Sequence, residues 1–222
     1  MSDVLHWRNL HLGAGVVDAC QVGRGQHVRL VLESVSQVQF MDRMLTLPED
    51  GSGDWPMWLE SGAGRFQAGT QEFVERIGIM IRHRGLMANL TMRENLLLPF
   101  LYQGDKDRLE EAFDEVGDVA DFVGLTALLH EQAGERSAYT HALVSLGRCL
   151  LARPDIIVAQ EVHIGMSPER LAHFRELSVQ ALQRLGSGLV YVTSSMNEGS
   201  GVIFSRTLTV QPEAGKLSGG EE

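Results

Sequence analysis

The chain has 222 residues, 44% apolar and 22% charged, with a formal charge of −10. That suits one large α/β domain or two small ones. The acidic balance, with no basic stripe, argues against nucleic acid as a partner, because phosphate contacts dominate that affinity.

No apolar run approaches the ~18 residues that cross a bilayer, and the N-terminus carries no signal-peptide core. Cys20 and Cys149 are far apart and lack metal-ligand spacing, so a reduced cytoplasmic protein without a bound metal is expected. Val4 to Leu12 alternates and reads as one strand, broken by Gly13-Ala14-Gly15, with a second strand over Val16 to Val22. A turn at Gly23 to Gln26 leads into a strand over His27 to Leu32, and Phe40, Met41, Met44 and Leu45 mark a helix after it. Pro48 to Phe66 reads as a surface loop or small hairpin anchored by Trp55 and Trp58, with a partner-facing role as the alternative. Gln71 to Arg76 is a short helix and Ile77 to Ile81 a buried strand.

Thr91-Met92-Arg93-Glu94 is a capping box, so a helix starts there, with Leu96, Leu97 and Leu98 mostly in the core before Pro99. Asp105 to Leu129 is helical, with Leu109, Ala112, Phe113 and Val116 on an inner stripe and seven carboxylates on a solvated face. A helix-period segment, Leu143 to Arg153, precedes the apolar run Ile156 to Ala159, which reads as a strand buried on both faces. That strand ends in Gln160-Glu161, at the edge where open α/β sheets bind ligands. Ser167 and Pro168 open a helix that Gly186 ends. Leu189 to Thr193 is the last core strand, Val202 to Val210 an edge strand, and Gln211 to Glu222 a frayed polar tail.

In this order the chain resembles the ATPase subunits of ATP-binding cassette (ABC) transporters. The run RHRGLMANLTMRENLLLPFLY, Arg82 to Tyr102, is similar to the Q-loop region of importer-like and lipid-transport cassettes, and Leu143 to Pro168 resembles the stretch from the signature helix through the Walker B strand to the D-loop. The resemblance implies a P-loop NTPase (RecA-like) core of mostly parallel sheet, an N-terminal antiparallel β layer and an inserted helical subdomain. It places a core lobe at 1–85 and 150–222 and the helical subdomain at 86–149.

It also implies where nucleotide chemistry would lie. The family's phosphate loop reads Gly-x-x-x-x-Gly-Lys-Ser/Thr, and its glycines supply positive φ and close backbone approach. In register this chain has Leu32 to Phe40, with Val38 at the Lys position followed by Gln39, and Glu33 near where phosphates would lie. Arg82 stands at the Q-loop Gln, Gln160 at the Walker B Asp and Ser194 at the switch His. Ser137 is retained in the signature stretch, but Ala138 and Tyr139 replace its glycines. Gly13-Ala14-Gly15 offers no adenine-stacking aromatic, and Leu217-Ser218-Gly219-Gly220 is no signature because no helix can follow it. Glu161 persists at the catalytic-base position, where it is expected to be vestigial, a local hydrogen-bonding group.

The expectation is therefore a catalytically degenerate ABC-type subunit (a pseudo-ATPase with a degenerate Walker A stretch) that binds no cofactor. Its partners would be a membrane permease, a competent sister ATPase or both, keeping it peripheral at the inner face of the cell membrane. The groove implied for the permease is carried by Arg84, Leu86, Leu90, Glu94, Asn95 and Leu98, with a capped Leu-rich helix and no groove as the alternative reading of those residues. The alternatives for the whole chain are an atypical ATPase with weak ATP–Mg²⁺ binding and residual hydrolysis, and a free-standing cytoplasmic scaffold homodimer.

Overall fold

The computed structural model describes residues 2–13, 15–47, 56–82, 86–103, 105–196 and 201–212. Its centre is a five-stranded parallel sheet in the order β11-β5-β10-β9-β8, formed by β5 (His27–Val31), β8 (Ile77–Ile81), β9 (Ile156–Gln160), β10 (Gly188–Thr193) and β11 (Arg206–Thr209). The continuous apolar runs fall in its middle: β10 is buried at all six positions and β9 at four of five. Helices cover both faces, as parallel strands buried on two sides require.

Two small antiparallel sheets form the N-terminal layer. One has the order β4-β1-β6-β7, from β1 (Val4–Trp7), β4 (Cys20–Val22), β6 (Met57–Ser61) and β7 (Gly64–Gln67). The other joins β2 (Leu10–Leu12), β3 (Gly15–Val17) and β12 (Gln211–Pro212). Both single strands expected over Val4–Leu12 and Val16–Val22 are thus corrected to pairs. Trp7 and Leu10 are both buried, and alternation cannot serve two sheets without the break at Arg8-Asn9. Gln211, expected to fray, is held in a ladder with Val16. Trp58 stacks on His6 with ring centroids 5.3 Å apart and carries Arg65 over its ring, so it does anchor the β6–β7 hairpin; Trp55 lies outside the described residues.

The helices are α1 (Ser34–Leu45), α2 (Gln71–Val74), α3 (Met92–Gln103), α4 (Lys106–Phe122), α5 (Ala138–Ala152) and α6 (Pro168–Leu185). The caps read at Thr91 and Ser167 operate, and Ser137 adds one that the sequence reading did not name. Glu94 N–H donates to Thr91 Oγ1 while Glu94 Oε2 accepts from Thr91 N–H, and Ser137 and Ser167 accept from Thr140 and Arg170. Phe113 departs from its expected inner place on α4; it is exposed, beneath Arg93 at 5.3 Å.

α5 lies against β8 closely enough that a Cβ at Gly78 would come 2.9 Å from Cys149 Sγ and 2.8 Å from Pro154. One apolar core joins α3 to α6 with β8, β9 and β10, and a second joins α1 and the β layer to the opposite sheet face. Among the described residues, no helix is long and apolar enough to cross a membrane.

Candidate functional site

The carboxyl ends of β5, β9 and β10 meet the N-terminus of α1. Only Leu32 and Glu33 separate the last residue of β5, Val31, from the first of α1, Ser34. The eight-residue phosphate-loop pattern cannot be laid on a two-residue connection. This corrects the register drawn from sequence, which put a loop through Leu32–Gln39 and Val38 at its cationic position. Val38 instead lies within α1 and is 64% exposed, because its direction is set by helical phase and not by a loop. Gln39 points elsewhere: its Oε1 accepts from Gly13 N–H at 2.6 Å.

Gln37 takes the place at the sheet edge, a residue that register reading passed over. It is 1% exposed. Its Nε2 donates to Leu32 O at 3.0 Å and to Glu161 Oε1 at 3.0 Å, and its Oε1 accepts from Gln160 Nε2 at 3.2 Å. The signal for it was a periodicity: Gln37, Phe40, Met41 and Met44 are all buried, at the spacing of one helix face.

Glu161 sits just past β9 with φ 42, in the left-handed region, which for a residue other than glycine costs roughly 1–2 kcal/mol. Its own N–H donates to Val192 O at 3.0 Å, and its Oε1 accepts from Ser194 N–H at 3.2 Å. Burial acts to raise its carboxyl, yet hydrogen bonds from Gln37 and Ser194, helped by the Arg82 charge, bring it below the ordinary glutamate value. Arg82 follows β8, its N–H donating to Gln160 O at 3.2 Å, and shares with Gln160, Glu161, Val38 and Asp42 a groove of about 390 Å³. The structure thus brings Arg82, Gln160, Glu161 and Ser194 together, while Ser137 stands apart as the N-cap of α5. There Tyr139 turns to α6, its hydroxyl 2.5 Å from His173 Nδ1 with Arg170 over its ring. Among the described residues, no group of three His, Cys, Asp or Glu could hold a metal ion.

The residues expected to carry a partner groove divide. Asn95 is fully buried and is corrected to a structural role: its Oδ1 accepts from Met87 N–H at 2.8 Å, and its Nδ2 reaches Met87 O, Leu90 O and Thr91 O within 3.3 Å. Glu94 is exposed and engaged in the cap, which lowers its carboxyl through the Thr91 N–H. Leu86, Leu90 and Leu98 are half-buried, and Arg84 lies outside the described residues. A separate apolar groove of about 460 Å³ runs between β8, α2, α3 and α5, lined by Val74, Ile79, Ile81, Pro99, Tyr102 and Cys149 among others.

These features define an α/β core with an N-terminal β layer and a helical insert, and known structures share it. The cassette MJ1267 of an ABC transporter, in its ADP conformation, superposes with a TM-score of 0.64 at 17% identity, over 89% of this chain and 83% of that one. CbiO1 of Clostridium perfringens, part of the ABC transporter complex cbiONQ, gives 0.66 at 13% identity over 88% and 80%. The fold is that of an ATP-binding cassette.

No protein-family model matches the chain. In sequence it is similar to ATP-binding proteins of import and lipoprotein-releasing systems. It is 30% identical over 123 residues to the methionine import ATP-binding protein MetN 1 of Acinetobacter baylyi, covering 55% of this chain and 34% of that protein. It is 27% identical over 122 residues to MetN of Lacticaseibacillus paracasei (55% and 34%), and 26% identical over 117 residues to the lipoprotein-releasing system ATP-binding protein LolD of Rickettsia bellii (53% and 52%). The chain thus spans about a third of the length of these methionine-import relatives and about half that of LolD.

Proposed function

We propose that this chain is a catalytically silent ABC-type subunit that contributes a docking surface to a membrane permease, a competent sister ATPase or both. The observation that carries the reading is the two-residue connection between β5 and α1. Phosphate recognition in this superfamily needs a run of backbone N–H groups curled around the anion and a Lys at the helix start. Neither is present at Leu32-Glu33, where Glu33 adds a negative charge instead. The residues of this edge do not fit a triphosphate, and we derive no hydrolytic step through one. With no Lys and no Walker B Asp, Glu161 has no bound nucleotide on which to act as a base.

The docking part of the reading is supported by the apolar groove beside β8. Tyr102 at its rim is 78% exposed, and among the described residues β8 pairs only with β9, so one strand edge opens into the groove. An amphipathic helix of a membrane partner suits such a surface.

Calorimetric titration with ATP–Mg²⁺ tests the first part, with a Glu161→Gln variant as control. No saturable heat is expected from either protein, and micromolar binding by the wild type would overturn the reading. Co-purification from membranes tests the second part. The expected result is recovery of an integral membrane protein that a Tyr102→Glu variant loses.

A further inference from the structure

We propose that the side-chain amide of Gln37 is an intramolecular plug: it occupies the sheet edge where β5, α1, β9 and β10 meet, and it fastens Glu161 in place as the acceptor that ties α1 to the sheet. The inference deepens the proposed function at the same edge, and its test involves no nucleotide.

The argument begins with satisfiability. A glutamine amide offers two N–H donors and one carbonyl oxygen. Here Leu32 O and the ionised Glu161 carboxylate can only accept, so Nε2 must face both, and Oε1 must then face a donor, which Gln160 Nε2 is. The reversed amide would set oxygen against two acceptors. Every polar atom of the Gln37 amide therefore has a matched partner, at a position buried as deeply as the core residues Phe40 and Met44.

Helix geometry makes this reach available. Gln37 is the fourth residue of α1, and its backbone N–H is already satisfied by Glu33 O at 2.9 Å. The short β5–α1 connection brings that turn directly over the strand ends. Leu32 N–H donates to Thr193 O at 2.9 Å, so the connection is itself stitched to β10.

Glu161 is the other half of the device. A left-handed, non-glycine residue persists only where its surroundings hold it. Glu161 is held on its backbone by Val192 and on its carboxylate by Gln37 and Ser194. Apolar filler at position 37 would occupy the same volume without these bonds. Among the described residues, the charged groups facing Glu161 are Arg82, beyond the end of β8, and Asp42, across the shared groove from α1; the residue after β10 is the uncharged Ser194.

The experiment is a carbon-detected NMR titration of the Glu161 carboxyl in the wild type, in Gln37→Met and in Gln160→Met. Methionine keeps the shape of glutamine and removes the amide. Gln160→Met, at a half-buried position, removes only the donor to Gln37 Oε1 and leaves the fold less exposed to risk. In Gln37→Met the Glu161 midpoint is expected to rise above the wild-type value, and exchange of the Ser194 amide proton to accelerate about tenfold, as for loss of one charge-assisted hydrogen bond in the cluster. In Gln160→Met the midpoint moves the same way by less. A filler role for Gln37 moves neither. An unchanged Glu161 midpoint in both folded variants, or unchanged Ser194 exchange in Gln37→Met, would overturn the plug. Nucleotide binding by the wild-type protein would instead overturn the proposed function and leave these titrations standing.

Discussion

Two buried amides organise this molecule, and they sit in opposite kinds of sequence. Asn95 lies in Arg82–Tyr102, the stretch read above as resembling a Q-loop region, and its amide stitches the loop before α3 to itself and to α5: Arg148 Nη2 donates to Asn95 Oδ1 at 3.4 Å. Gln37 lies near the start of α1, and it closes the sheet edge at the ends of β5 and β9. Both side chains are almost wholly buried and fully partnered. One polar hub supports the helical insert, and the other closes the edge of the central sheet.

The largest effect should come from breaking the Asn95 hub. Asn95→Ala strands the N–H of Met87 and takes an acceptor from Arg148, while the carbonyls of Met87, Leu90 and Thr91 each lose one donor and keep a backbone one. An unsatisfied buried group costs about 1–3 kcal/mol, so a loss of roughly 2 kcal/mol is expected. Urea denaturation reads it from the shift in midpoint at constant slope. A loss below about 1 kcal/mol would mean that the loop holds without this amide.

The same hub carries a pH signature. Cys149, beside Arg148 and packed against Gly78, is fully buried, and that burial pushes its thiol up to about 12 from an ordinary 9, with the Arg148 charge opposing. A folded-state value above the unfolded one stabilises fully below pH 9 and is lost as pH rises toward 12. Burial likewise lowers Arg148 to about 10 from 12.5, which acts with the opposite sign, but only above pH 10. Between pH 9 and 10 the thiol acts alone of the two, and stability should fall with a slope approaching ~1.4 kcal/mol per pH unit. Cys149→Ala should flatten that window; an equally steep fall in the variant would assign the slope to other groups.

How far each hub could be read from sequence differs for a physical reason. The apolar runs at Ile77, Ile156 and Leu189 predict buried parallel strands because they lack alternation, and Thr91 and Ser167 mark helix starts because their hydroxyls serve local N–H groups. Those signals are contained within a few residues. Asn95 looked like a polar position on a partner-facing helix, since nothing local tells that residues 87–91 fold back over it. α1 was misplaced for a related reason. Glu33 makes no side-chain cap, so the helix start carried no chemical mark, and motif register filled the gap. The spacing of Gln37 with Phe40, Met41 and Met44 held the better answer, because helical phase is a property of this chain and motif register is borrowed from others.

A smaller effect separates the two ends of the frame. Ser137 Oγ accepts from Thr140 N–H at 3.3 Å at the start of α5, and it also stands in the stretch resembling the family signature. If its role is capping, Ser137→Ala should cost about 1 kcal/mol and leave membrane co-purification unchanged. Thermal denaturation together with the pull-down distinguishes this from an interface role, which would show as lost partner with an unchanged midpoint.

The smallest expected effect bears most sharply on the proposed inability of this edge to hold nucleotide. Val38→Lys places a lysine where motif register would put it. Val38 is a solvent-facing residue on α1, so the change should move stability by less than about 0.5 kcal/mol. Nucleotide binding should not appear either, because an ammonium on an exposed helical turn is not one held within a curled backbone loop. Two residues between β5 and α1 cannot curl that way whatever their side chains. Saturable ATP binding by this single variant would show that the deficit was one missing charge and that the short connection can still cradle phosphate. Continued silence in the calorimeter, with the fold intact by circular dichroism, would place the loss in the backbone path itself, beyond the reach of a single point reversion.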